Sequence, residues 1–208
     1  MTQAFPDSLA HLLAEMERID LLIRYQIAHR YKLQSEDEQF RGLYISAEEI
    51  DSLLRKPIGV PQWLLSKAEV QADPAAHLGQ IENLIHERQQ LSKSQGIELR
   101  LERLRELFEL TPLDIDVLLV CMAVEFDLRY EKIYGYLQDD VTKKKPSVEL
   151  LLNLLAPSLE LNVNARQRFS AEAPLLRFRL VELVEDPSHL PTPLLSRFVK
   201  VDDRIVQY

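Results

Sequence analysis

Glycine is scarce, with only five in 208 residues. That argues against a loop-rich β architecture and against the glycine-lined turns that approach phosphates. A single cysteine, Cys121, excludes an intramolecular disulfide framework and fits a reducing compartment. No apolar run approaches the roughly 18 residues of a membrane span; the longest, over 117–124, has the length of a core segment. Residues 1–14 lack the basic-then-apolar pattern of a secretory signal, so a cytoplasmic location is expected. Positive charge is also in short supply. The net charge is −8, and residues 1–126 carry 13 Lys+Arg against 21 Asp+Glu, whereas 127–208 carry 12 of each. Neither part has the basic excess of a dedicated nucleic-acid binder.

Catalytic signatures are missing as well. None of the glycines at 42, 59, 79, 96 and 135 begins a G-x-x-x-x-G-K-[ST] phosphate loop. His86-Glu87-Arg88-Gln89-Gln90 starts like a zinc-protease H-E-x-x-H but has Gln90 where the second ligand is required. Cys121 lies within Val117-Leu118-Leu119-Val120-Cys121-Met122, which makes it an inert core thiol. Asp139-Asp140 and Asp202-Asp203 read as turn or capping residues rather than acid–base pairs. We therefore expect no catalytic, cofactor-binding or metal-binding residue in this chain.

What the chain does have is helical patterning at an ordinary globular composition, 46% hydrophobic and 28% charged. Leu9, Leu12, Leu13, Met16, Ile19, Ile23 and Ile27 form one apolar stripe on a long helix, with Ser8 as its cap, ended by the polar stretch 34–39. Ser46-Ala47-Glu48-Glu49 is a capping box before a short helix to about Arg55, and Pro61 opens another apolar segment. A second long helix opens at Asp73-Pro74, with Leu78, Ile81, Leu84 or Ile85, and Leu91 in register, and Ser94-Gln95-Gly96 breaks it. Leu101, Leu104, Leu107 and Phe108 continue on a further helix.

Thr111-Pro112-Leu113-Asp114 is a strong helix start, and the helix to about Glu125, apolar nearly all round, should be central. Helices are predicted over 129–137, 146–155 and 158–169, then a strand over 175–185, a proline-studded turn, a return strand over 197–201 and a helix capped by Asp202. The chain ends at Tyr208 before that helix is satisfied, which reads as a fragment. The fold class expected is mainly α: a helical N-terminal subdomain over 1–105, followed by a winged-helix module over 106–208 with a small β-hairpin wing.

Two basic clusters are candidates for partner contact. Lys143, Lys144 and Lys145 sit between the second and third helices of the module, and Arg166, Arg168, Arg177 and Arg179 lie near the predicted wing. The third helix, Ser147-Val148-Glu149-Leu150-Leu151-Leu152-Asn153-Leu154-Leu155, lacks the Arg and Gln that read base edges. Tyr130, Tyr134 and Tyr136 on the second helix suit packing more than an interface.

Several segments carry a family resemblance. They are residues 111–120, Asp127-Leu128-Arg129-Tyr130-Glu131, the run from Tyr134 to Asp140, Pro146-Ser147-Val148, Arg168-Phe169, Pro174-Leu175-Leu176-Arg177 and Asp202-Asp203-Arg204-Ile205-Val206. Gly42-Leu43-Tyr44-Ile45-Ser46 matches more weakly. Together they resemble the N-terminal winged-helix region of bacterial AAA+ ATPases encoded with phage-tail-like contractile injection systems. The resemblance implies a non-catalytic protein-binding or regulatory domain that assembles the particle or handles its effector cargo. It also implies an ATPase domain beyond this chain, which would bring ATP, magnesium and ring self-association. A winged-helix DNA-binding regulator is the alternative reading, and a scaffold that oligomerises through the first helix is a third.

Overall fold

The computed structural model describes residues 2–33, 50–51, 54, 74–156, 158–185 and 191–208. Helices dominate: α1 (Ser8–Leu33), α2 (Pro74–Ser94), α3 (Arg100–Leu107), α4 (Pro112–Phe126), α5 (Arg129–Leu137), α6 (Val148–Leu155) and α7 (Leu159–Ala165). A 3-10 turn (Arg166–Phe169) and the short α8 (Pro174–Arg177) precede β1 (Val181–Val184). A second 3-10 turn (Leu194–Ser196), β2 (Phe198–Val201) and α9 (Asp203–Gln207) complete the described chain. The fold is mainly helical with a small antiparallel two-stranded sheet, as the sequence implied. The Ser46 capping box, the polar stretch 34–39, the segment opened by Pro61, the Gly42 match and most of the proline-studded turn lie outside the described residues.

The described residues form two compact units, one within 1–104 and the other over 105–208. In the first, α1 packs along α2, and Phe5, Ile85 and Leu99 make a core with Ala10, Ala14, Ile81 and Ile97 around it. Ile85, not Leu84, is the buried member of α2's pattern. The apolar stripe of α1 holds for Met16, Ile19, Ile23 and Ile27, but Leu9 and Leu13 are exposed. In their place His11 and Glu15 continue the four-residue register inward. Polar groups can take such positions only when partnered. His11 Nε2 lies 3.6 Å from Glu15 Oε1, and Glu15 Oε2 accepts from Arg18 Nε at 2.7 Å. Ser8 is not the cap expected: Asp7 Oδ1 accepts from Ala10 N at 2.8 Å, while the Ser8 hydroxyl donates to Glu98 O and accepts from Arg100 N.

In the second unit α4 is the axis. Thr111 and Asp114 form a reciprocal capping box with Pro112 at the first turn. Ile115, Val117, Leu118, Leu119, Val120, Cys121 and Met122 are all buried against α5, α6 and β2. Tyr130 and Tyr134 of α5 are fully buried, and the Tyr134 hydroxyl donates to Val120 O at 2.6 Å, so these tyrosines pack between helices.

Two departures from the sequence reading matter for the surface. The strand expected over 175–185 is only its second half: Pro174 starts a helical turn whose Leu175 is buried, and β1 begins at Val181. A proline at the first helical position, whose missing N–H costs nothing there, wins over the apparent alternation of Arg177 and Arg179. Second, Pro146 and Ser147 do not begin a helix. They run antiparallel beside β2, where Val199 N donates to Pro146 O at 2.8 Å and Val148 N to Arg197 O at 3.0 Å. Ser147 then caps α6 by accepting from Leu150 N. β2 is thus flanked on both sides, by β1 in the register Val181↔Val201 to Val184↔Phe198 and by this short extension.

Candidate partner-binding surface

Four helix ends close in one way: a residue in the left-handed region, followed by an N–H that reaches back five residues. The closing bonds are Ile97 N to Ser92 O, Leu110 N to Arg105 O, Asp140 N to Gly135 O and Leu180 N to Leu175 O, each 2.9 Å. The left-handed residues are Gly96 (φ 72°), Glu109 (φ 53°), Asp139 (φ 55°) and Arg179 (φ 54°). Only the first is the residue type that adopts this conformation freely. Glycine scarcity hid the other three turns from the sequence reading.

The turn at Asp139 leads into the lysine run. Asp140 Oδ1 accepts from Thr142 N and Thr142 Oγ1, so both aspartates are turn residues, as expected. Gln138 then holds the loop: its Nε2 donates to Lys143 O and Lys145 O at 3.0 Å, and its Oε1 accepts from Ser147 N. The backbone beneath the lysines is fixed while the side chains extend outward. Lys144 Nζ lies 3.2 Å from Glu131 Oε2, an exposed pair of small energetic weight. Among the described residues no ion pair reaches Lys143 or Lys145.

The four arginines do not form one set. Arg168 Nη1 lies 3.6 Å from Oδ2 of the fully buried Asp114, so its charge is matched internally. Arg166 approaches Asn162 Oδ1 at 3.4 Å, at the end of α7. Arg177 and Arg179 flank Phe178 at the end of α8, with the Arg177 guanidinium 5.3 Å from the Phe178 ring centroid. Phe178 in turn contacts Phe108, centroids 5.1 Å apart. The 3-10 turn that Arg166 opens packs on both α7 and α8. The lysine run belongs instead to the β2 side, through residues 146 and 147.

Sequence reading passed over the apolar part of this surface. Leu159, Leu161 and Val163 of α7 are 79%, 54% and 51% exposed, and Phe178 is 41% exposed. The pattern could have signalled this: Leu159-Glu160-Leu161-Asn162-Val163-Asn164 alternates apolar and polar within a helix, so no single face can bury all three. On α6 the reverse holds. Val148, Leu150, Leu151, Leu152 and Leu154 are buried, and Glu149 and Asn153 are its exposed polar groups.

Chemistry elsewhere is quiet. Burial pushes the Cys121 thiol well above its ordinary range, which keeps it protonated. Asp202 caps α9, accepting from Arg204 N at 2.9 Å, and its hydrogen bonds to the Arg204 side chain and backbone lower it to about 2. Lys200 is raised by its hydrogen bond to Asp203, 2.9 Å away. Among the described residues no three His, Cys, Asp or Glu side chains gather as a metal site, and no helix is long and apolar enough to cross a membrane.

A central buried helix, two further helices packed on it and a β-hairpin define a winged-helix protein. Residues 1–208 match the family described as "Winged helix domain, variant", and the chain belongs to that family. The match takes in the first compact unit as well as the second. No curated protein and no solved structure gave a match.

Proposed function

We propose that this chain is a non-catalytic protein-binding domain. The observation that carries the reading is α6. It occupies the third-helix position that DNA-binding winged helices insert into the major groove, and its solvent face offers an acid and an amide with no cation. Phosphate neutralisation needs cations that this helix does not supply, and Glu149 stands beside its one base-reading group, the Asn153 amide. The finer assignment is to the N-terminal region of an AAA+ ATPase that serves a contractile injection system in the cytoplasm, binding a particle component or an effector. Its support is the sequence resemblance over 111–206. ATP and magnesium would belong to the ATPase domain of that longer protein.

DNA binding is the second reading, favoured by the lysine run that Gln138 presents beside β2. Fluorescence anisotropy with a labelled 30-base-pair duplex separates the two. At about 0.15 M salt the protein-binding reading expects no saturable signal, whereas saturable binding with a steep salt dependence would establish the second. Sequencing the gene beyond codon 208 tests the finer assignment, which requires a G-x-x-x-x-G-K-[ST] motif downstream.

A further inference from the structure

We infer that the surface formed by α7, the following 3-10 turn and the end of α8 docks an acidic amphipathic helix of a protein partner. The inference rests on the protein-binding reading above and names the site and the chemistry of its occupant. Leu159 and Val163, one helical turn apart, put two largely exposed apolar side chains on the same face of α7. Arg166 follows Val163 by three residues, at the edge of that face. Beyond the 3-10 turn, Phe178 adds an exposed ring between Arg177 and Arg179. An apolar strip bordered by cations is complementary to a helix whose apolar residues recur at i and i+4 and whose flanks are acidic.

Charge selects this occupant over others. Residues 158–180 hold four arginines against two glutamates, in a chain whose net charge is −8. One of the four, Arg168, is matched by Asp114, whereas among the described residues no ion pair reaches Arg166, Arg177 or Arg179. The exposed Leu159 and Val163 beside Arg166 would gain nothing from a phosphate backbone, but they would be buried by a protein helix. Arg179 is the most informative member. It holds φ 54°, a conformation that glycine would adopt at lower cost, and its side chain is exposed. Its turn closes α8 as Glu109 and Asp139 close their helices, and it leaves the guanidinium facing solvent.

The test uses the whole 208-residue chain, isotopically labelled, and two synthetic 18-residue helical peptides. Both carry leucine at i and i+4; one is flanked by glutamates and the other by lysines. The acidic peptide should bind in the micromolar range, shift the amide resonances of residues 159–166 and 177–180, and outbind the basic one at least tenfold. Arg177→Glu with Arg179→Glu should weaken it tenfold or more, and Arg177→Lys with Arg179→Lys should keep most of the affinity. Leu159→Asp, at a side chain too exposed to hold the fold, should also weaken it without lowering Tm. Equal binding of both peptides, shifts confined to other residues, or no binding of either would overturn this site while leaving the protein-binding reading in place. Saturable, salt-sensitive binding of duplex DNA through the same arginines would overturn both.

Discussion

At the scale of single residues, the informative positions are those where the side chain disagrees with its setting. Arg179 is in a left-handed turn that favours glycine, and Glu109 and Asp139 share that geometry. Arg179→Gly should raise stability by about 0.5–1 kcal/mol, because it removes the clash between Cβ and the following carbonyl. Urea unfolding at unchanged m-value would measure that gain. The same variant should bind the acidic peptide less well, so stability and binding should move in opposite directions. His11 and Glu15 disagree differently, as polar groups on the buried face of α1. Burial raises the Glu15 carboxyl, but the hydrogen bonds and charges of His11 and Arg18 outweigh it and hold the group below its ordinary value of 4.5. A carboxyl with a depressed folded-state pKa stabilises fully above its unfolded value, and that contribution is lost as pH falls through the folded one. Urea melts at stepped pH should therefore show stability falling below about pH 4.5. Glu15→Gln should be less stable at neutral pH and should show a shallower acid slope.

At the scale of elements, close approach decides what a helix tolerates. Gly135 lies inside α5, where alanine would ordinarily be preferred by up to about 1 kcal/mol. Here an added Cβ would stand 3.3 Å from both Asp140 O and Val141 Cα. Those atoms are backbone, tied down by the 2.9 Å bond from Asp140 N to Gly135 O and by the turn at Asp140, so they cannot step aside as a side-chain tip would. Gly135→Ala should therefore destabilise, by about 1–2 kcal/mol, with a matching drop in Tm. The turn it protects also positions the lysine run, so the altered loop should be visible as shifted amide resonances at Thr142 and Lys143. Elements cap one another as well. Pro146 and Ser147 serve β2 and α6 together, which is why α6 begins two residues later than its proline suggests.

At the scale of the molecule, the distribution of charge and of apolar surface sets the class of partner. The first 126 residues carry the whole negative excess, and the rest is neutral. A field of that sign slows the approach of nucleic acid and of any other anion, so an acidic segment must gain its affinity at the local arginines and the uncovered apolar side chains. The helix in the recognition position is spent on the core, and the helix that follows it leaves its leucines and valine uncovered. A winged helix so arranged has its uncovered apolar side chains on α7 and at the end of α8 rather than on α6.

Much of this fold could be read from the sequence. Periodicity and helix-start residues located α1, α2, α4 and α5 closely, because helices depend on local hydrogen bonds. β2 was found from its short apolar run, although its bonds go to β1 and residues 146–148. The helix start at Thr111, the inert burial of Cys121 and the turn or capping roles of Asp139, Asp140 and Asp202 were legible from local sequence. Tertiary structure alone decided the remainder. Whether Leu159 and Val163 are covered, whether Arg168 is spent on Asp114, and whether Pro146 pairs with β2 all depend on what lies beside them in space. Nothing in a residue's own type or its near neighbours encodes that. Residue types thus named the candidate cations, and packing decided which of them remain available to a partner.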